Sequence, residues 1–209
     1  MNYKEFQVLT ALEDAENYTL TQRELSRITK MSLGSVNEVV NGLADCEFVA
    51  QGKLTAKGLA ALEPYRVQRA VLIAAGFGSR MVPITLNTPK PLVRVNGKRI
   101  IDTILDALIA ADINEIYIVR GYLGEQFDQL LYKYPNIRFI ENPSYNESNN
   151  ISSAMAARYL LSNAYVFESD LVLSNPKLIQ KYQYRSNYLG IPMERSDDWC
   201  FEEIGRAHV

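Results

Sequence analysis

Hydrophobic positions divide the chain into two segments with different periodicity. Up to about residue 66, apolar residues recur every three or four positions between polar turns, which is the spacing of one face of an α-helix. From Ala70 to Ala75 every residue is apolar, which predicts a buried strand that enters a glycine turn. We therefore predict two domains, residues 1–66 and residues 67–203.

Helical patterns followed by a short hairpin make up the first segment. A capping box formed by Thr21 and Glu24 predicts the start of the second helix, and Ser32 is placed to cap the third. Two β-type triplets separated by Gln51 and Gly52 predict a hairpin. Two helices joined by a few residues form a helix-turn-helix unit. This order is typical of a winged helix, and the segment resembles winged helix-turn-helix regulators of the MarR-like kind.

That resemblance implies a DNA contact through the third helix and the hairpin. The third helix would present Ser35, Asn37 and Asn41, and the hairpin would present Lys53. However, residues 1–66 carry seven basic and nine acidic side chains, and the third helix has no Arg or Lys. Phosphate contacts supply most nonspecific DNA affinity. DNA binding and a protein-binding or regulatory role therefore both stay open for this domain.

A glycine-rich turn follows the predicted strand. Gly76 and Gly78 let the backbone turn sharply and let its N–H groups approach an anion. The turn is not a dinucleotide fingerprint, because Met81 stands where the third glycine would be, and no Gly-Lys-Ser/Thr follows as in a Walker A loop. By itself, the turn is a weak indication of phosphate binding.

A lysine between two prolines follows this turn. Pro89 and Pro91 restrict the backbone on both sides of Lys90, and a lysine held this way is a point charge suited to a phosphate oxygen. Together with Arg80 ten residues earlier, the combination matches the pattern of nucleotidyltransferases, which join a nucleoside triphosphate to a phosphorylated small molecule. The alternative is an ordinary surface lysine beside a turn.

Strands alternate with helices through the second segment. Strands are predicted over 115–119, 137–140 and 165–170, with helices near 125–133 and over 152–162. This alternation predicts a Rossmann-like α/β domain with a mostly parallel, three-layer sheet. A further helix is predicted from apolar residues at helical spacing, namely Ile101, Ile104, Leu105, Leu108 and Ile109.

Asp170 is predicted to end the last strand, at the same edge of the sheet as Gly76 and Gly121. Ligands of such sheets bind at the carboxyl ends of the strands. Mg²⁺ usually binds through one or two carboxylates and substrate phosphates, so Asp170 suits this metal, and the resemblance to nucleotidyltransferases implies the same role. The alternative is an aspartate that caps a turn or a helix.

Three further motifs narrow the resemblance. They are Gly-Tyr-Leu-Gly-Glu-Gln-Phe at 121–127, Asn-Pro-Ser-Tyr-Asn-Glu-Ser-Asn-Asn-Ile at 142–151, and Asp-Asp-Trp-Cys at 197–200. With them, the chain up to about residue 203 resembles the phosphocholine cytidylyltransferases of bacterial lic-type pathways, in particular multidomain proteins that carry a winged helix before the transferase. The resemblance implies CTP and phosphocholine as substrates, and CDP-choline and pyrophosphate as products.

The same resemblance implies roles for individual residues. Lys90 and Arg80 would stabilise the charge on the reacting phosphates. Asp198 and Trp199 would receive choline, because a quaternary ammonium favours an aromatic face beside a carboxylate; a single tryptophan is also commonly part of a core. The nucleotide-binding residues would be Ala74, Ala75, Gly76, Gly78, Ser79, Arg80, Asn149, Asn150 and Ser153, although the asparagines also suit helix capping.

Composition excludes several other functions. The only histidine among 209 residues is His208, so catalysis that needs an internal histidine, such as a Ser-His-Asp triad, is excluded within the visible part. Cys46 and Cys200 indicate neither a disulfide framework nor a zinc site, which favours a reducing, cytoplasmic setting. No stretch approaches the roughly 18 apolar residues of a membrane span. The net charge of −2 predicts no strongly basic field.

The end of the chain departs from the resemblance. Residues 204–209 have no family counterpart and are interpreted as a non-native tail, and the second metal-binding acid of the family is expected beyond residue 209. The transferase domain is therefore expected to be incomplete and to catalyse little by itself. Two other functions are open: a sugar-1-phosphate nucleotidylyltransferase, and a DNA-binding regulator whose transferase-like half senses a nucleotide.

Overall fold

A computed structural model describes residues 1–15, 18–147 and 150–188. Three residues of the predicted site, Asn149, Asp198 and Trp199, lie outside the described residues, as does the predicted tail over 204–209. Among the described residues, no helix has the length and apolar character needed to cross a membrane.

Four helices and a hairpin form the first segment, in the predicted order. The Thr21 side chain accepts a hydrogen bond from the Glu24 N–H, the Ser32 side chain accepts one from the Ser35 N–H, and both helices therefore begin where the caps predict. The elements are α1 (Tyr3–Asp14), α2 (Gln22–Thr29), α3 (Leu33–Asp45), β1 (Val49–Ala50), β2 (Lys53–Leu54) and α4 (Ala56–Leu62).

The apolar faces of these helices pack into one core, which includes Leu9, Leu25, Val36, Leu43 and Leu62. Helical spacing also predicts Ile28 beside Leu25 in α2, and Leu59 beside Leu62 in α4, on apolar faces, but Ile28 is 54% exposed and Leu59 is 44% exposed. Of each pair in these short helices, only Leu25 or Leu62 is buried in the core.

A parallel four-stranded sheet forms the centre of the second segment, in the order β7-β6-β3-β8, and it confirms the predicted α/β fold. The strands and helices of this segment are β3 (Arg69–Ala74), β4 (Arg94–Val95), β5 (Lys98–Arg99), α5 (Ile100–Ala110), β6 (Glu115–Arg120), β7 (Ile137–Glu141), α6 (Asn150–Ala156) and β8 (Ala164–Glu168).

Apolar side chains cover both faces of this sheet. On one face Leu72 and Ile118 belong to a core that contains Ile104 and Leu108 of α5, and on the other Val71 and Val119 form a smaller cluster. Burial on both faces explains the unbroken apolar run of β3, because neither side of that strand meets water. Ile109, predicted on the buried face of α5, is 40% exposed.

Two predicted helices differ from the structure. The segment Gly124–Tyr132 is a 3₁₀ helix, and α6 ends at Ala156 rather than continuing to residue 162. After α6, the Leu160 N–H bonds to the Ala157 carbonyl, three residues back, so the chain tightens into the short 3₁₀ turn Arg158–Leu160.

The segment that follows β8 returns to the helical core of the first segment. Tyr182 is 3% exposed and belongs to that core, and the Tyr184 ring stacks on Tyr65 with 5.5 Å between ring centroids. The backbone also joins the two segments, since the Val67 N–H bonds to the Lys181 carbonyl at 2.9 Å. The division of the chain at residue 66 stays a prediction, because residues far beyond it complete the first core.

Candidate functional site

The glycine turn lies where β3 ends, at the carboxyl edge of the sheet. Gly78 has φ +64°, and a Cβ there would lie 3.0 Å from the Thr85 Cγ2 and 3.2 Å from the Lys90 Cβ. The Thr85 hydroxyl donates a hydrogen bond to the Gly78 carbonyl at 2.9 Å. Only glycine therefore fits this position without displacing its neighbours.

Gly76 is different, because nothing lies within 4 Å of the position of its absent Cβ. Gly76, Ser79 and Arg80 are all exposed, whereas Ala74 and Ala75 are buried at 5% and 2% exposure. The side chains of the two alanines pack inside the protein, so only their backbone atoms could contact a ligand. The open side of the turn can receive an anion.

Lys90 and Asp170, eighty positions apart in sequence, meet beside this turn. The Lys90 Nζ donates a hydrogen bond to the Asp170 Oδ2, and the two side chains are 31% and 32% exposed. Pro89 and Pro91 are both buried, so the backbone of Lys90 is held from both sides. The predicted phosphate-binding lysine and the predicted metal ligand are thus adjacent in the described structure.

Asp170 does not end a strand, as the sequence predicts, but lies two residues beyond β8. Ser169 explains the difference, since its N–H and its hydroxyl both donate to the Ile73 carbonyl, at 3.1 and 2.6 Å. The Ser169 hydroxyl thus takes up the Ile73 carbonyl of β3 where β8 ends, and the chain then forms a turn. Asp170 still lies at the carboxyl edge, as do Gly76 and Gly121.

Glu168 is a second carboxylate at this edge, and the sequence interpretation missed it. Glu168 is exposed, but desolvation by its neighbours and the Asp170 carboxylate raise its pKa, against hydrogen bonding by Asn150. The Asn150 amide donates to the Glu168 Oε1 at 2.7 Å. The signal was present in the predicted strand over 165–170, because residues two apart on a strand point to the same side of the sheet.

The carboxylates suit a hard cation that binds together with phosphates. Mg²⁺ usually takes one or two protein carboxylates plus substrate oxygens, and Asp170 with Glu168 supplies that donor set. In the part of the chain that the structure describes, no group of three or more His, Cys, Asp or Glu side chains could hold a metal by protein ligands alone. A Mg²⁺ ion here would therefore depend on the phosphates of a bound substrate.

Ser153 has a supporting position in the structure. Its side chain is buried at 3% exposure, and its hydroxyl accepts a hydrogen bond from the Asn142 amide at 3.0 Å. Asn142 is also buried, and its N–H bonds to the Arg120 carbonyl. Ser153 therefore fixes the loop after β7, whereas Asn150 at the start of α6 is exposed.

An aromatic cluster borders the glycine turn and was not predicted. The Phe77 ring lies 5.0 Å from Tyr122 and 5.4 Å from Tyr145, measured between ring centroids, and Phe77 is 46% exposed. A Cβ on Gly121 would lie 2.6 Å from the Tyr145 Cβ, so glycine at 121 makes room for the tyrosine. An aromatic residue between two glycines was the available signal.

The predicted DNA-contacting residues divide into two groups. Asn37, Asn41 and Lys53 are exposed, and the Asn41 amide donates to the Asn37 carbonyl oxygen at 3.3 Å. Ser35 is half-buried, and its hydroxyl accepts a hydrogen bond from the Lys4 ammonium at 3.1 Å. Ser35 therefore contacts α1 rather than contributing a free group to the exposed face of α3.

Comparison with known families gives one match for each segment. The nucleotidyl transferase family model matches residues 69–188, and the MarR family model matches residues 1–57. The second match agrees with the winged helix order of the first segment.

Individual relatives match the second segment. The chain is 43% identical over 136 residues to the 2-aminoethylphosphonate cytidylyltransferase of Lancefieldella rimae, which covers 64% of this chain and 55% of that protein. It is 38% identical over 132 residues to the choline-phosphate cytidylyltransferase of Streptococcus pneumoniae, which covers 63% and 57%. The chain thus spans little more than half the length of these relatives.

A solved structure supports the same fold. The CTP:phosphocholine cytidylyltransferase of Streptococcus pneumoniae superposes with a TM-score of 0.53 and 40% sequence identity, over 56% of this chain and 50% of that chain. The match includes about half of each molecule.

Proposed function

Because the chain belongs to the nucleotidyl transferase family, we propose that it transfers CMP from CTP to phosphocholine, with release of pyrophosphate and formation of CDP-choline. Cytidylyltransferases among its relatives support CTP as the donor, and the choline-phosphate enzyme supports phosphocholine as the acceptor. The reaction requires bound triphosphate, a second phosphate that attacks it, and positive charge between them.

The observation that carries the proposal is the meeting of Lys90 and Asp170 beside the glycine turn. A cation on a restricted backbone, an open turn of backbone N–H groups, and a carboxylate for a metal are the three parts that phosphoryl chemistry needs. Before substrate binds, Asp170 holds the Lys90 ammonium at the edge of the sheet. The triphosphate would then replace part of that contact.

In the proposed step, a phosphate oxygen of phosphocholine attacks the α-phosphorus of CTP in line with the bond to the β-phosphate. A new P–O bond forms, the α–β P–O bond breaks, and pyrophosphate leaves with that electron pair. Lys90, Arg80 and the N–H groups of the turn stabilise the growing negative charge. No general base is needed, because the attacking phosphate is already ionised near neutral pH.

Asp170, with Glu168 beside it, would hold the Mg²⁺ ion of this reaction. When bound there together with the triphosphate, Mg²⁺ neutralises phosphate charge. Desolvation and the neighbouring Asp170 carboxylate raise the pKa of Glu168, and a divalent cation bound at these carboxylates would relieve their repulsion. Asp198 and Trp199 are the proposed choline-binding residues, and Asn149 and Asn150 the proposed contacts to base or ribose.

A second acceptor is 2-aminoethylphosphonate. The enzyme named for that acceptor is 43% identical to this chain, against 38% for the choline-phosphate enzyme. Both acceptors carry a cationic nitrogen two carbons from an oxygen or phosphorus, so the same attack chemistry serves either.

The direct test measures pyrophosphate release for each of the four nucleoside triphosphates paired with phosphocholine, 2-aminoethylphosphonate or glucose 1-phosphate. Release with CTP and phosphocholine is expected, and release with glucose 1-phosphate alone would replace the proposal by a sugar-1-phosphate transferase. Because the chain is shorter than its relatives, CTP affinity with Mg²⁺ is measured as well. Absence of both CTP binding and pyrophosphate release would contradict the proposal.

For the first segment we propose DNA as a partner, on the basis of the MarR family match and the exposed Asn37, Asn41 and Lys53. The absence of Arg and Lys from α3 limits the expected affinity. A gel-shift or anisotropy assay on the whole chain with random duplex DNA tests this partner. No binding even at low salt would favour a protein-binding role.

A further inference from the structure

A second cleft lies between the helical first segment and the α/β layer, with a volume of about 750 Å³. The ends of α1 and α5 and the segment from Pro176 to Tyr182 line it. It includes Asp112, just before β6, whereas Gly121 of the candidate nucleotide site directly follows β6. Six strand residues span roughly 17–20 Å, so the two sites lie at opposite edges of the sheet.

Three acids, Glu13, Asp14 and Asp112, and two lysines, Lys177 and Lys181, line this cleft, and Asp14 has no partner among the described residues. The Lys181 ammonium lies 2.8 Å from Glu13 and 3.5 Å from Asp112, and Arg66 lies 2.7 Å from Asp112. Asp14 makes no hydrogen bond or ion pair with any described residue. Asp14 is exposed, yet desolvation by its neighbours and the adjacent Glu13 carboxylate raise its pKa against the attraction of Lys181, so a further positive charge nearby would be stabilising.

Tyr182 also lines the cleft, and its hydroxyl is buried without a hydrogen-bond partner among the described residues. Tyr182 is 3% exposed, and its hydroxyl forms no hydrogen bond with the residues that the structure describes. Buried polar groups in proteins nearly always have a hydrogen-bond partner. The Tyr182 ring packs into the first core, but its hydroxyl has no hydrogen-bond partner and Asp14 has no ion-pair partner among the described residues, and both residues line the same cleft. A hydroxyl and a carboxylate without such partners therefore point to a ligand.

We propose that this cleft binds a small molecule that carries a positively charged amine. Asp14 receives the amine, the Tyr182 hydroxyl bonds to a polar group of the ligand, and the alkyl part contacts the apolar wall formed by Ala107, Ala110, Ala111 and Ile179. The volume falls within the usual range of small-molecule sites. The ligand would touch both α1 and α5, and thus both cores at once. The proposal does not rest on the transferase function.

Calorimetric titration of the 209-residue chain with ethanolamine and with choline tests the proposal, with acetate as an anionic control. Saturable binding of at least one amine and none of acetate is expected. Asp14→Asn should weaken the amine at least tenfold and Tyr182→Phe at least threefold. The control Asp45→Asn removes another exposed carboxylate, at the end of α3, and should leave the affinity unchanged.

Both test variants are nearly isosteric, and thermal unfolding establishes that each folds before it is titrated. No binding of either amine would overturn the proposal. Affinity that survives Asp14→Asn or Tyr182→Phe would also overturn it, because the amine would then occupy another site, such as the acceptor site of the transferase. Loss of affinity in both variants, with Asp45→Asn unaffected, would support it.

Discussion

Gly76 and Gly78, in the same turn, differ in how much space surrounds the position of a Cβ atom. At Gly78 a Cβ approaches Thr85 and Lys90 at 3.0 and 3.2 Å with φ at +64°, whereas at Gly76 the space is open. The first position is constrained by the fold and the second is free for a ligand. Single alanine substitutions therefore separate the structural role of the turn from its proposed role in phosphate binding.

Gly78→Ala should lower the free energy of unfolding by about 1–3 kcal/mol, because it forces a side chain into the left-handed region and against Thr85. Gly76→Ala should leave the unfolding free energy within about 0.5 kcal/mol of the native chain but weaken CTP binding about tenfold, because its methyl group stands where the phosphates approach. Urea unfolding and a CTP titration measure the two effects. Undiminished CTP affinity in Gly76→Ala would contradict phosphate binding by the turn.

Lys90→Ala should reduce CTP affinity at least tenfold, and reduce pyrophosphate release by about 10²–10³-fold in an enzyme that turns over, since it removes a fixed charge from the transition state. Lys133→Ala is the matched control, because Lys133 precedes β7 at the opposite edge of the sheet and pairs with Asp106. A similar loss in both variants would show a general effect of charge rather than a site.

Asp106 is predicted to make the folding stability of the protein depend on pH in the acid range. Burial alone would raise its pKa, but hydrogen bonds from Lys133, Lys98 and Tyr134 lower the pKa to about 2. A depressed folded-state pKa contributes stability above the unfolded value near 3.8, and this contribution is lost as the pH falls from about 4 towards 2. We expect about 1 kcal/mol after solvent screening.

Asp106→Asn should therefore lose about 1 kcal/mol at pH 7 and show a flatter decline of stability between pH 4 and pH 2, in urea unfolding followed by circular dichroism. The control is Asp45→Asn, for which neither change is expected. An equal slope for native and Asp106→Asn chains would contradict the assignment.

Among individual residues, Lys90 and the two glycines could be predicted from the sequence. Lys90 stands between two prolines, and Gly76 and Gly78 stand two apart directly after an apolar strand. The sequence did not indicate Glu168, whose importance depends on which strand ends are neighbours in the folded sheet. The sequence placed Ser153 among the nucleotide-binding residues, and that role stays a prediction. Its burial and its hydrogen bond to Asn142 could not be read from its spacing on a helix, which is compatible with either face.

Secondary-structure elements were predictable where local chemistry is strong. Caps at Thr21 and Ser32 placed α2 and α3, and the apolar run placed β3. The end of α6 and the 3₁₀ form of Gly124–Tyr132 were not predictable, because apolar periodicity hardly distinguishes the two helix types. The end of β8 depends on a side-chain bond from Ser169 to another strand, which no local pattern encodes.

The helix-hairpin unit predicts weak, salt-sensitive DNA binding. With no cation on α3 and only Lys53 on the predicted contact surface, the slope of log K against log salt should be about −1 to −2, at roughly −0.9 per neutralised phosphate. Fluorescence anisotropy between 20 and 150 mM salt measures it.

In the same assay, Lys53→Ala should make the slope shallower by about 0.9. Lys57→Ala is the control, because Lys57 already pairs with Glu47 at 2.9 Å. A native slope steeper than about −4 would show that other cations, outside the predicted surface, contact the DNA.

At the scale of the whole molecule, residues 181–184 connect the second segment to the core of the first. Tyr182 packs into the helical core of the first segment, Tyr184 stacks on Tyr65, and the backbone of Lys181 bonds to Val67. A composition change near residue 66 is visible in the sequence, whereas a return of the chain across more than a hundred residues is not. The predicted fold class was thus confirmed while this connection was unexpected.

Tyr182→Ala should destabilise the chain by about 3 kcal/mol, because it leaves a cavity in the first core. A chain of residues 1–66 alone should have an unfolding free energy lower by a similar amount than the same helices in the longer protein. It should therefore unfold at a lower urea concentration. Tyr159→Ala is the control, since Tyr159 is 81% exposed. Equal stability of residues 1–66 alone and within the longer chain would contradict the role of Tyr182.

Because Tyr182 packs into the first core, the helices of that core are synthesised well before the residue that completes their packing. The helices of the first segment leave the ribosome early, yet the tyrosine that fills their core is made more than a hundred residues later. At 5–20 residues per second, the gap between residues 66 and 182 lasts roughly 6–23 s. For that interval the nascent helices have an unfilled apolar surface, so a chaperone that binds such surfaces has its longest opportunity there, before any of the transferase chemistry exists.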